Sequence, residues 1–216
     1  VIARFGEAMK IEPRFIPDVQ RNELRALVTR REQLIGMLKA EKTRLQRAFG
    51  QSVRHSHNRI MEAIQVELKG VNREIDSLIQ NSPVWRVKDQ MLQEIKGIGP
   101  QMSRMVIAAL PELGLVNRRK IASLVGVAPF NNDSGKHVGP KKIRGGRPHV
   151  RRVLYMAAIA AMRSNPPLIA LHDRLQEKGK KNKVIIAACM RKLLITMNAT
   201  LKTQMQSLDA ATALIS

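Results

Sequence analysis

From Asp18, a residue suited to a helix N-cap, apolar side chains recur at alternating three-and-four spacing: Leu24, Leu27, Leu34, Leu38 and Leu45, with Arg31 and Glu41 interrupting. A second stripe follows at Met61, Ile64, Leu68, Val71, Ile75 and Leu78. Between them Gly50–Asn58, with two serines and two histidines, breaks the pattern. Each stripe predicts a helix of roughly 25–30 residues, about 40 Å long at 1.5 Å per residue. The pair reads as an antiparallel helical hairpin or as arms that coil with another protomer, because one stripe satisfies either partner. The arm, residues 18–82, is expected to be a spacer or a dimerisation element. His55 and His57 at its tip have no third ligand nearby and read as part of a solvated loop.

The pattern changes at Ser82-Pro83, where Trp85 opens a compact region, residues 83–202. Met91-Leu-Gln-Glu-Ile-Lys-Gly-Ile-Gly-Pro100 predicts a helix that stops at Gly97-Ile98-Gly99 and a second that starts at Pro100. This resembles the helix-hairpin-helix element of DNA-repair and recombination proteins. There, backbone amides near Gly97 and Gly99 and the following helix N-terminus would approach a phosphate. Arg118–Val125 predicts a short helix ending at Gly126. Val150–Met162 is a nearly unbroken apolar run and predicts a buried helix headed by Arg151 and Arg152. Asn165-Pro166-Pro167 ends it, and Leu168–Glu177 and Val184–Leu201 predict two more helices, separated by a basic patch at 178–183.

The tail, 203–216, is weakly patterned and is expected to fray. Residues 1–17 carry Pro13 and Pro17 and begin at Val1 rather than Met, so they read as the end of something upstream. No segment sustains period-two alternation, and the chain is predicted to be mainly α.

Charge adds a partner. The 216 residues carry 38 Lys and Arg against 17 Asp and Glu, a formal net charge of +21, which points to nucleic acid. No run approaches the roughly 18 consecutive apolar residues of a spanning helix, so no membrane partner is expected. A single cysteine, Cys189, excludes an internal disulfide framework and a cysteine-based zinc site, and fits a reducing compartment.

The charge concentrates in Phe130–Arg152. Here Ser134 is followed by Lys136, Lys141, Lys142, Arg144, Arg147, Arg151 and Arg152, with no acidic residue after Asp133. On its own, a serine in Asn-Asn-Asp-Ser-Gly is a turn residue. Set among these cations, Ser134 poses the question of chemistry against a plain turn, with Gly135 beside it and His137 and His149 in the same stretch. Ser103, Ser123 and Ser164 lack clustered positive charge. Lys136, Lys141, Lys142, Arg144, Arg147, Arg151 and Arg152 read, with Gly97 and Gly99, as the nucleic-acid contacts, and Arg144 and Arg147 as phosphate contacts in particular because a guanidinium fork suits phosphate oxygens.

Three segments carry a family resemblance: Gly126-Val-Ala-Pro-Phe-Asn-Asn-Asp-Ser-Gly-Lys136, Arg144-Gly-Gly-Arg-Pro148 and Arg151-Arg-Val-Leu-Tyr-Met-Ala-Ala158. They resemble the C-terminal domain of the insertion-sequence transposases that couple a RuvC-like, four-carboxylate (DEDD) domain to a serine-bearing domain. That group is related to the Piv-type DNA invertases. The similarity covers about residues 85–202, and Ile95–Pro100 and Ile121–Pro129 agree in order and spacing.

The resemblance implies that Ser134 is the nucleophile of a transposase or site-specific recombinase. It also implies that 1–17 is the end of a RuvC-like domain whose carboxylates, with Mg2+, lie upstream. This stretch alone would then be inactive and hold no cofactor. DNA is the implied partner, and a structured guide RNA is a further one. A homo-oligomer, dimer or tetramer, would form through the arm, in the cytoplasm at a bacterial nucleoid. The competing readings are a non-catalytic nucleic-acid-binding helix-hairpin-helix module and a ribosome-associated or RNA-packaging basic protein.

Overall fold

The computed structural model describes residues 19–131 and 142–213. Two long helices, α1 (Val19–Arg47) and α2 (Gln51–Asn81), form the arm. The body holds α3 (Pro83–Gln93), α4 (Pro100–Ala109), α5 (Arg118–Val125), α6 (Pro148–Ala161), α7 (Pro166–Glu177) and α8 (Asn182–Ala213). The described strands are β1 (Pro129–Phe130) and β2 (Lys142–Ile143), two residues each. The protein is mainly helical, as the periodicity predicts.

The arm is an antiparallel hairpin. Gly50 adopts φ +85°, a left-handed conformation that costs glycine little, and the chain reverses there within three residues. Leu24, Val28 and Leu34 of α1 and Ile64, Val71, Ile75 and Ile79 of α2 are buried in one cluster, the two stripes facing each other. The two polar interruptions of the first stripe have partners across the seam. Arg31 Nε donates to Asn72 Oδ1 at 2.7 Å. The Glu41 carboxylate, 8% exposed, receives Arg44 on one oxygen and lies 2.7 Å from His57 Nδ1 on the other.

The predicted break at Gly50–Asn58 is thus corrected: residues from Gln51 are already helical, and His57 is held by Glu41 rather than lying in a solvated loop. One glycine suffices for the reversal, and the serines and histidines form the first turns of α2.

Several body helices begin as their prolines predict, with Pro83, Pro100, Pro148 and Pro166 each in a first turn, where the missing N–H is no loss. The central element is α8, which packs against α3, α5, α6 and α7. Its Cys189, Leu193, Leu194 and Met197 are fully buried. The stretch Asn182–Gln204 is long and apolar enough to cross a membrane by length and composition, and here its apolar side chains serve as the body's core. The helix also runs on to Ala213, past the fraying point expected at Thr203.

Two buried asparagines fasten the loops. Asn198 accepts from the Gly114 amide and donates to the Val116 carbonyl, while Asn165 donates to the Lys96 carbonyl. The core is continuous from Leu24 to Leu201, because α1 packs on α4 as well as on α2. The foot of the arm is therefore built into the body.

The seam at Glu41 gives the arm a defined acid response. The His57 hydrogen bond is the largest influence on its carboxyl and lowers its pKa; burial opposes this, and Arg44 adds to the lowering. A carboxyl with a depressed folded pKa stabilises the fold above its unfolded value, about 4.3, and loses that contribution as pH falls through the folded value. The thermal midpoint of the chain, followed by circular dichroism, is expected to fall as pH drops below about 4.3. Glu41→Gln is expected to flatten that part of the profile, and an unchanged profile would exclude Glu41 as its source.

Candidate nucleic-acid interface

The basic stretch is closed at its base by the two-stranded ribbon. Pro129 pairs with Ile143 and Phe130 with Lys142 in antiparallel register, so the chain leaves the body at β1 and returns beside it at β2. Ser134, Lys136, His137 and Lys141 lie outside the described residues. Of the flanking cations, Lys142 and Arg144 are exposed, and the Arg144 guanidinium lies 5.7 Å from the centre of the Phe130 ring. A cation over an aromatic face at this range is attractive, and the contact joins the two strands on one side.

Beneath the ribbon, glycines make a close crossing. α5 ends at Gly126, φ +79°, whose amide donates back to the Ala122 and Ser123 carbonyls. Gly145 and Gly146, also left-handed, pass against it. A β-carbon on Gly126 would lie 2.2 Å from the Gly145 carbonyl oxygen, and one on Gly146 would lie 2.3 Å from the Gly126 nitrogen. The Arg147 amide then donates to the Leu124 carbonyl at 3.0 Å.

Two predicted phosphate contacts are engaged in holding this crossing. Arg147 grips Glu112 bidentately, Nη1 to Oε2 at 2.8 Å and Nη2 to Oε1 at 2.6 Å, while Nη1 also donates to the Ala109 carbonyl. Arg151 Nη1 donates to the Gly145 and Val125 carbonyls. The same planar fork that suits phosphate suits a carboxylate; Glu112 occupies the fork of Arg147, and backbone carbonyls occupy Arg151. Burial is the largest single influence on the Glu112 carboxyl and pushes its pKa up; the Arg147 hydrogen bonds, its own backbone amide and the positive charges of Arg147 and Arg21 together outweigh it and hold the pKa low. Arg152, one residue on, is exposed.

His149, in the first turn of α6, is half-buried, and that burial is the largest cause pressing its pKa down. Glu32 of α1 opposes this, and Arg25, Arg147 and Arg152 reinforce it. A neutral imidazole at this position can accept a proton.

The expected hairpin lies between α3 and α4. Gly97, φ +97°, packs against the end of α6, where a β-carbon would come 2.3 Å from Ala161 Cβ. Its need for glycine is thus explained by helix packing. Gly99 is exposed with open space around it, at the uncapped N-terminus of α4. Of the other serines, Ser103 is buried and Ser164 donates to the Ala160 carbonyl, whereas Ser123 is exposed on α5. Among the described residues no group of three or more His, Cys, Asp and Glu is placed to hold a metal ion.

Sequence reasoning missed Glu112, Phe130 and Arg25. Glu112 is 35 residues from Arg147, and no spacing rule links them; Phe130 alone carried a signal, as the apolar residue opening the basic stretch.

Comparison with known proteins bears on this geometry. Residues 89–173, from the end of α3 through most of α7, match the Transposase IS116/IS110/IS902 family. Over this segment the chain is similar to the transposases of that family. The chain is also 28% identical over 207 residues to the pilin gene-inverting protein of Moraxella bovis. It is 27% identical to the pilin gene-inverting protein of Moraxella lacunata over the same length. In both cases 94% of the chain is covered, and the chain spans 64% of the length of those proteins. A third relative is the insertion element IS110 uncharacterized 43.6 kDa protein of Streptomyces coelicolor, 21% identical over 66% of the chain and 35% of that protein. The matched segment contains the glycine crossing, the ribbon and the Arg147–Glu112 pair.

Two glycine substitutions separate packing from ligand approach. Gly146→Ala and Gly97→Ala are each expected to cost about 2–4 kcal/mol in urea unfolding, from left-handed backbone strain plus steric overlap. Gly99→Ala, with open space and an ordinary φ, is expected to stay within about 0.5 kcal/mol. A Gly97→Ala variant as stable as wild type would show that α6 does not pin the hairpin.

Proposed function

We propose that this chain is the serine-bearing, DNA-handling part of a transposase or site-specific recombinase. The observation that carries this reading is the ribbon and glycine crossing within the matched segment. Together they fix both ends of a strongly basic, serine-containing stretch against a rigid helical body. A serine that attacks a phosphodiester must be free to reach its target and yet be delivered to one place, and a loop tied at its base meets both demands.

In this mechanism Ser134 Oγ attacks a DNA phosphorus. The P–O bond to one strand breaks, that strand's oxygen takes up a proton and leaves as a hydroxyl, and the phosphorus remains bonded to the serine oxygen as a protein–DNA phosphoserine link. A DNA hydroxyl then attacks the same phosphorus and releases the serine. Lys142, Arg144 and Arg152, with Lys136 and Lys141 of the loop, offset the charge that develops on the phosphoryl oxygens. Arg147 and Arg151 act by positioning the loop. His149, kept neutral, is a candidate for the serine proton, as is His137. Gly99 and the open N-terminus of α4 suit a backbone phosphate beside the site.

The reading further includes a RuvC-like domain upstream whose carboxylates would hold Mg2+, a guide RNA as a second nucleic acid, and self-association through the arm. Among the described residues no group of three or more His, Cys, Asp and Glu is placed to hold that metal. The alternative is a binding module in which Ser134 is an ordinary turn residue.

Ser134→Ala in the full-length protein distinguishes the two. Strand exchange and covalent DNA capture are expected to vanish while DNA affinity stays within about twofold of wild type; strand exchange that survives would exclude the serine. Affinity for duplex DNA is expected to fall steeply with salt, each neutralised phosphate contributing about 0.9 to the log–log slope.

A further inference from the structure

The outward side of α6 has an uncommon composition. Its inward side, Val150, Leu154, Ala157, Ala158 and Ala161, is buried against the core. On the other side Arg152, Met156 and Ile159 follow at helical spacing, with Tyr155 beside them and Arg163 in the turn that closes the helix. Tyr155 is 40% exposed and Met156 62%. Tyr155 is the one tyrosine of the chain. No acidic residue occurs anywhere between Pro148 and Asn165. Arg152 and Arg163 are eleven residues apart, roughly 16 Å along the helix axis, with an aromatic ring and a thioether between them.

The positive surface continues beyond α6. Arg25 of α1 lies close enough to His149 to act on it together with Arg152. On the ribbon side, Arg144 is exposed above Phe130, itself 37% exposed. The chain has few aromatic residues, and Phe130 on the ribbon and Tyr155 on α6 are two of the exposed ones.

We propose that the outward face of α6 binds an unpaired nucleic-acid strand, with Tyr155 stacked on a base beside Met156 and with Arg152 and Arg163 on flanking phosphates. This rests on the nucleic-acid reading of the chain given above and adds to it a strand type and a surface. Charge complementarity selects the partner, since α6 with its closing turn presents two cations and no anion on this face, and at its head Arg25, Arg147 and Arg152 stand against Glu32 of α1. The ring selects the strand type: base faces are hidden inside a duplex and are offered only where pairing is lost, and stacking on them tolerates any sequence. An all-phosphate contact with duplex DNA would have no use for an exposed tyrosine flanked by methionine and isoleucine. A strand laid here would run from the head of α6, beside the serine loop, to its far end.

The test is fluorescence anisotropy of the 216-residue chain with labelled oligonucleotides of one sequence, offered as unpaired DNA, unpaired RNA and duplex DNA. Tyr155→Ala is expected to weaken an unpaired strand roughly tenfold, within the range for loss of one stacked base, and to leave the duplex within about twofold. Tyr155→Phe is expected to retain wild-type affinity. Arg152→Gln with Arg163→Gln is expected to reduce the log–log salt slope on the unpaired strand by about 1.4, that is 0.7 for each phosphate. All these side chains are exposed, and equal thermal midpoints by circular dichroism confirm that the variants fold.

Loss on unpaired DNA or on unpaired RNA supports the proposal, and the larger loss names the strand. Unchanged binding of Tyr155→Ala to both unpaired strands, with duplex binding intact, overturns it and leaves the broader function standing. An effect of Tyr155→Ala on self-association alone, read by sedimentation, also overturns it in favour of a protein occupant. A wild-type chain that binds none of the three overturns the nucleic-acid reading as well.

Discussion

The bidentate contact between Arg147 and Glu112 is the constraint on which the candidate site depends. Glu112 stands in the turn between α4 and α5, and Arg147 immediately precedes α6. By joining them, the pair fixes where the chain returns from the basic loop and where α6 begins. Charge-assisted hydrogen bonds of this kind contribute about 1.5–3 kcal/mol each way one counts them in proteins, and the partly buried setting spares them full screening by solvent. The Ala109 carbonyl adds a further acceptor. Gly126 and Gly146 then cross at a separation no β-carbon permits, and Arg151 ties the crossing through the Gly145 and Val125 carbonyls. The ribbon and the head of α6 take their positions from this knot.

Much of the scaffold could be read from the chain because helix periodicity and helix stops are local properties. α5 ends at Gly126 as a left-handed glycine stop predicts, and α6 follows the apolar run after Gly145-Gly146-Arg147-Pro148. The antiparallel arm is present, but its tip is tighter than the polar cluster at 50–58 suggested, because helix propensity resumes as soon as Gly50 has turned the chain. What could not be read is long-range pairing. Glu41 and Arg31 appeared as interruptions of an apolar stripe, and only the partner helix reveals His57 and Asn72 as their reasons.

The same limit applies at the site. Gly97 was read as clearance for a phosphate and is required by Ala161 of α6. Arg147 and Arg151 were read as phosphate contacts on the strength of guanidinium chemistry, which does not distinguish a ligand from a neighbouring carboxylate or carbonyl. Lys142, Arg144 and Arg152, by contrast, remain exposed as expected. The cations thus divide into those that build the loop's base and those that face outward, a division invisible in a charge count. The division separates a rigid base from outward-facing charge.

A double-mutant cycle on Arg147 and Glu112 tests this account most directly. Arg147→Gln, Glu112→Gln and the double variant would be unfolded in urea with the wild type, and the coupling energy taken from the four stabilities. The account predicts a favourable coupling of about 1.5–3 kcal/mol. A coupling indistinguishable from zero, below about 0.5 kcal/mol, would contradict it and mean that the base of the loop is held by something other than this pair.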